Sequence, residues 1–179
     1  FDVLLCPSSV LDEFCFMNMR SYKGANFINV ASDELNIEIN DENDALEDDK
    51  AIQEEFQKIF EDILKYTPET VKKVVPSKRL IHGSDPASCI VTDGYITIAM
   101  ARFIASQPVR GEVPDPEFIL EINVHHKLFE GLKKAFFKGD VDRLKNYANV
   151  LTNQAFLVED LPIDEPQKFN TAMSMLIVE

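Results

Sequence analysis

The stretch FKGDVDRLKNYANVLTNQA, residues 137–155, decides how the end of the chain is built. Its apolar residues Phe137, Val141, Leu144, Ala148, Leu151 and Ala155 step by four, three, four, three and four positions. Side chains so spaced fall on one side of an α-helix and form a seam of the coiled-coil kind. A connector from Leu157 to Pro162 follows, and Asp164 can cap a last helix that tolerates Pro166 in its first turn. Phe169, Ala172, Met173, Leu176 and Ile177 then share one face. Two such helices joined by a short connector make an antiparallel hairpin. Its apolar surface needs a cover. Either the rest of the domain supplies it, or a second copy does, forming a four-helix bundle across a twofold axis. Periodicity alone does not choose.

Upstream, Phe118-Ile119-Leu120-Glu121-Ile122 reads as an apolar strand, His125 and His126 follow, and a helix starts near Lys127. Val71–Leu80 and Ser88–Val91 read as strands flanking the turn His82-Gly83-Ser84-Asp85-Pro86, and are expected to form an antiparallel pair. Thr92 or Asp93 can cap a helix that runs from Tyr95 to Ile104 and ends before Pro108. Ile52, Phe56, Ile59, Phe60, Ile63 and Leu64 mark another helix, closed by Thr67-Pro68. Near the start, Phe1–Cys6 reads as a buried strand and Val10–Met19 as a helix capped by Ser8 or Ser9. Tyr22–Asn26 reads as a turn and Phe27–Val30 as a strand. The expected fold is α+β: a small antiparallel sheet, helices and the terminal hairpin. A boundary near residue 45 divides it into 1–45 and 46–179.

The chain has 179 residues, enough to bury a core without disulfides. Its net charge of −13 repels phosphate backbones, which excludes nucleic acid as an expected partner. No apolar run reaches the roughly 18 residues of a membrane span. Cys6, Cys15 and Cys89 show no CxxC spacing and fit reduced thiols of a cytoplasmic protein. Phe1 is not an initiator Met and opens inside an apparent strand, so a piece of a longer protein is expected.

Sites for chemistry are sparse. His125 and His126 are adjacent and point in different directions, so they do not share a metal, and His82 lies far off in sequence; capping or surface roles suit all three. The acidic run Asp41, Glu42, Asp44, Glu47, Asp48 and Asp49 fails as a calcium loop, because Leu46 and Ile52 occupy the places of the bend Gly and the bidentate Glu. It reads as a solvated linker leading into a helix. No GxxxxGK, GxGxxG or GxSxG occurs, so neither a catalytic residue nor a cofactor or metal ligand is expected in this chain. Ile96, Met100, Phe103 and Ile104 form a helical stripe that suits either a core face or an exposed, adaptable binding face.

Several segments carry a resemblance in order and spacing. They are Phe1–Leu5 with Leu11-Asp12-Glu13-Phe14, Tyr22–Phe27 with Val30, and Ser77-Lys78-Arg79-Leu80 leading to Asp85–Val91. Met100-Ala101-Arg102 and Pro114–Asn123 with His126 and Leu128 complete the set. Across essentially its whole length the chain resembles the ninety-kilodalton heat-shock chaperone family in its bacterial form, from the end of the middle domain through the C-terminal dimerisation domain. The resemblance implies a homodimer held by the last two helices, through Val141, Leu144, Ala148, Leu151, Ala155, Phe169, Met173 and Leu176. It implies that unfolded client proteins meet Phe14, Ile96, Met100, Phe103 and Ile104. Ile96 stands where bacterial members often carry Met, and Phe14 where they often carry Trp; both remain apolar. ATP and Mg would bind in an upstream domain, and this part would hydrolyse nothing. The chain closes on Leu176-Ile177-Val178-Glu179 without the acidic tail of eukaryotic cytosolic members, which points to a bacterial or organellar source. The competing expectation is a structural dimerisation module without a client surface.

Overall fold

A computed structural model describes residues 3–4, 10–28, 50–80, 82–92, 96–107 and 116–177. Helix α1 spans Val10–Met19. A small hairpin follows, β1 (Ser21–Tyr22) and β2 (Ala25–Asn26). Lys23 and Gly24, at φ 49° and 85°, make the left-handed two-residue turn that suits the twist of paired strands. Phe27 leaves that hairpin to pack edge-on against Phe16, with ring centroids 4.9 Å apart. Phe27 and Ile28 are in no strand, and neither are the exposed Val3 and Leu4, so the strands expected at both places are corrected where described. The acidic run and the boundary near residue 45 lie outside the described residues.

The main sheet contains β3 (Val71–Pro76), β4 (Ser88–Thr92) and β5 (Phe118–Ile122), in the order β3-β5-β4. β5 runs parallel to β3 and antiparallel to β4. The antiparallel pairing expected of β3 with β4 therefore does not form, and the sheet is mixed. The reason is burial. All five side chains of β5 are buried, as a central strand covered on both faces requires. β3 buries Val71 and Val74, exposes Lys72 and Lys73 across a register shift, and ends at Pro76, a residue suited to an edge strand.

Helices stack on one face of this sheet: α2 (Lys50–Leu64) against β3 and α5 (Val141–Val158) against β4 and β5, with α4 (Lys127–Lys138) and α6 (Pro166–Ile177) packed on α5. Phe118, Leu120 and Ile122 point into their common core with Ile59, Ile63, Leu132, Leu144 and Leu151. Full burial of each such side chain contributes about 1.5–3 kcal/mol. Ser88 Oγ donates to the carbonyl of Leu151 at 2.7 Å and pins α5 across β4. Gly131 on α4 lets Tyr147 of α5 approach closely, for an added Cβ there would lie 3.0 Å from the Tyr147 Cζ.

Two boundaries differ from the sequence reading. Phe137 belongs to α4, because Gly139 caps that helix in the left-handed conformation at φ 67° and Asp140 starts α5 by accepting from the Arg143 N–H at 3.0 Å. Helix α3 spans Ile98–Ser106 and is capped by Thr97, whose Oγ1 accepts from the Met100 N–H at 3.2 Å. Thr92 is instead the last residue of β4, and Ile96 precedes the helix. His126 caps α4 through Nδ1, which accepts from the Leu128 N–H at 3.1 Å.

Candidate functional site

On its other face, β5 carries a buried carboxylate. Glu121 is 4% exposed and lies across from Cys89 on β4. Ser77, just past the end of β3, donates its hydroxyl to Glu121 Oε2 at 2.8 Å, and the Arg79 guanidinium pairs with Oε1. The Ser77 hydroxyl oxygen in turn accepts the backbone N–H groups of Arg79 and Leu80, each at 3.1 Å. The Cys89 thiol donates to Glu121 Oε2 at 3.6 Å. Burial, and then the negative charge of Glu121, push that thiol up to about 12. A thiol so held is protonated at neutral pH and poorly suited as a nucleophile. The cluster is a latch that closes the loop after β3 onto the sheet.

Asn123, fully buried, makes a second latch. Its amide donates to the carbonyls of His82 at 2.8 Å and Pro86 at 3.2 Å, and its Oδ1 accepts the His125 N–H at 2.9 Å. Sequence reading treated these polar residues as parts of a pattern and missed their bonding. A glutamate inside a strand of otherwise apolar residues was the available signal. Among the described residues, no three His, Cys, Asp or Glu side chains gather as a metal site.

Helix α3 is only partly buried. Ile98 and Ala101 face inward at 5% and 2% exposure, while Met100 and Ile104 are half-buried and Phe103 is exposed. Met100, Phe103 and Ile104, at i, i+3 and i+4, thus share the outer side of the helix. Ile96 does not join them: it lies before the helix and packs on the core. Phe14 lies within α1, and its side chain is outside the described residues.

The terminal hairpin divides differently from its sequence pattern. Leu144, Ala148, Leu151 and Ala155 are at most 2% exposed and belong to the core of their own protomer, so the seam faces inward. The sheet, α2 and α4 already cover it. Of the residues expected at a subunit contact, Val141 is exposed, Phe169 and Met173 are half-buried, and Leu176 is half-buried against the core. Leu157, Val158, Met175 and Ile177 are exposed on the same two helices. Sequence reading put Ile177 on the apolar face of the last helix but named none of the four at the subunit contact; Leu157 and Val158 stand apart from the repeat that marks the seam.

These surfaces sit on a mixed sheet packed with a helical hairpin and flanked by an amphipathic helix. The chain belongs to the Hsp90 protein family, whose model matches residues 1–179. It is 36% identical over 178 residues to the "Chaperone protein HtpG" of Shouchella clausii, a match spanning 99% of this chain and 27% of that relative. The protein of the same name from Alkaliphilus metalliredigens is 36% identical over 177 residues, again 99% of this chain and 27% of the relative. That of Bacillus subtilis is 33% identical over 168 residues, 94% of this chain and 26% of the relative. The chain thus spans about a quarter of the length of the HtpG chaperones it matches. No helix among the described residues is long and apolar enough to cross a membrane.

Proposed function

We propose that this chain is the part of an ATP-dependent, HtpG-like chaperone that pairs two subunits and holds unfolded or partly folded proteins. ATP and Mg bind elsewhere in the longer protein, and no reaction takes place here. The observation that carries the reading is where apolar side chains remain once the protomer's core is complete. One group is the outer stripe of α3, with Phe103 at 53% exposure. The other is the α5–α6 hairpin, where Val141, Leu157, Val158, Met175 and Ile177 are exposed.

The two groups suit different tasks. A flexible thioether beside an exposed ring adapts to many sequences and binds each weakly, as holding of varied clients requires. The hairpin offers the same face on each of two copies, which a twofold contact needs.

The test is the double substitution Met100→Ser with Phe103→Ser. It is expected to leave the mass unchanged, to lower the melting temperature slightly because Met100 is half-buried, and to reduce suppression of aggregation of a client denatured by dilution from urea at a temperature where the variant is folded. Undiminished suppression would remove α3 from the holding surface.

A further inference from the structure

The outer side of α4 carries a feature that neither of those surfaces uses. Phe137 is 64% exposed. Its ring is held by Phe136, with centroids 5.5 Å apart at 78°. The helix ends two residues later at Gly139, so no further turn of α4 covers it. Phe137 lines an open hollow of about 530 Å³ with Glu130, Lys133, Lys134 and Lys138. All five residues lie on one face of α4, so the hollow is shallow and open to solvent, suited to a side chain laid flat against the ring.

The charge of this hollow is opposite to that of the chain. Three lysines and one glutamate line it, in a protein of net charge −13. Lys133 is neutralised by Glu55 at 2.6 Å and lies 5.4 Å from the centre of the Phe56 ring. Among the described residues neither Lys134 nor Lys138 has an ion-pair partner. Lys138, in the last turn, complements the helix dipole. That accounts for one lysine, and leaves Lys134 and the bare ring one turn beyond it.

We propose that this face docks a short acidic segment of a partner protein that carries an aromatic or large aliphatic side chain. The apolar side chain sits against Phe137 in the hollow, and carboxylates of the segment meet Lys134 and Lys138. The strongly negative remainder of the chain selects against long polyanions such as nucleic acid, whereas a short acidic segment meets only the local field.

Fluorescence anisotropy tests this with the whole chain and a labelled peptide, Asp-Glu-Asp-Phe-Leu-Asp-Glu-Asp. Two controls replace its acids by Lys or its Phe-Leu pair by Ser-Gly. Only the first peptide is expected to bind, and added salt is expected to weaken it. Phe137→Ser, and separately Lys134→Gln with Lys138→Gln, are each expected to weaken it about tenfold or more. The lysine pair lies on the surface and keeps the test open if Phe137→Ser fails to fold. Equal binding of a control peptide, or indifference to the lysine substitutions, overturns the proposal. So does loss of dimer mass in Phe137→Ser, which would place the ring between copies. Client suppression through α3 is read in a separate assay, so the two readings fail independently.

Discussion

Arg102 of α3 donates to Glu159, the residue that caps the C-terminus of α5, at 2.7 Å. A carboxylate at a helix C-terminus meets the negative end of the dipole, and the guanidinium offsets that repulsion. The bond also ties an outlying helix to the longest helix of the fold.

Arg102→Gln is therefore expected to loosen α3 while barely changing global stability. Both partners are roughly a third exposed, so the pair contributes about 1 kcal/mol or less. The readout is local: chymotrypsin should cut at Phe103 several-fold faster in the variant. An unchanged cleavage rate would show that the packing of Ile98 and Ala101 alone holds the helix.

Glu121 and Arg79 should behave in the opposite way, with a large global effect when the buried carboxylate loses its partner. Arg79→Leu strands a buried carboxylate, at a cost of about 3–5 kcal/mol. Glu121→Leu removes the acceptor of the Ser77 hydroxyl and one partner of the Arg79 guanidinium, and should cost less than Arg79→Leu, because the Arg79 side chain is 24% exposed to water. The double variant buries no unpaired charge and should recover much of the loss. Urea unfolding midpoints of the three proteins decide this; additive losses would mean that the two side chains act separately.

The latch also sets a pH dependence. The Cys89 thiol ionises near 9.0 when unfolded and at about 12 when folded. Below the lower value it is protonated in both states and contributes no pH slope. Between the two, the unfolded chain binds fewer protons, so stability falls as pH rises, by at most about 1.4 kcal/mol per pH unit. Cys89→Ala should remove this part of the alkaline loss, seen as a flatter stability profile than that of the parent over the same window. Parallel profiles would show that the thiol ionises alike in both states.

The sequence pattern made the helices legible and the sheet order illegible. Helical periodicity is local, so α2, α5 and α6 follow from residue spacing within each segment, whereas α4 was legible only by its start near Lys127 and its Phe137 was read into the seam of α5. Strand neighbours are chosen by which side chains must be covered on both faces, and nothing local in Ser88–Thr92 says that β5 will lie between it and β3. The same limit applies to the candidate surfaces. An apolar stripe is visible in sequence, but whether the protomer or another molecule covers it depends on residues far along the chain. Met100, Phe103 and Ile104 were legible as a stripe that ends at the surface. Leu144, Ala148, Leu151 and Ala155 were legible as a stripe too, and the sheet, α2 and α4 cover it from within. Ile96 matched the helical spacing of the first stripe, yet Thr97 starts the helix after it.

That inward turn of the seam changes which substitutions separate two subunits. Leu144→Asp with Leu151→Asp would place two carboxylates among residues that are almost fully buried, each without a partner. The expected outcome is loss of the fold, with circular dichroism collapsing along with any dimer. Met175→Asp with Ile177→Asp should act on association alone, because these side chains are 60% and 76% exposed in the protomer. At a twofold contact the new charges face each other or an apolar neighbour, and each substitution acts twice. Light scattering should then show half the parent mass while the melting profile of the dilute protein stays that of a folded domain. An unchanged mass would clear the end of α6 and shift attention to Val141, Leu157 and Val158. A parent protein that is monomeric at every concentration would end the pairing reading altogether.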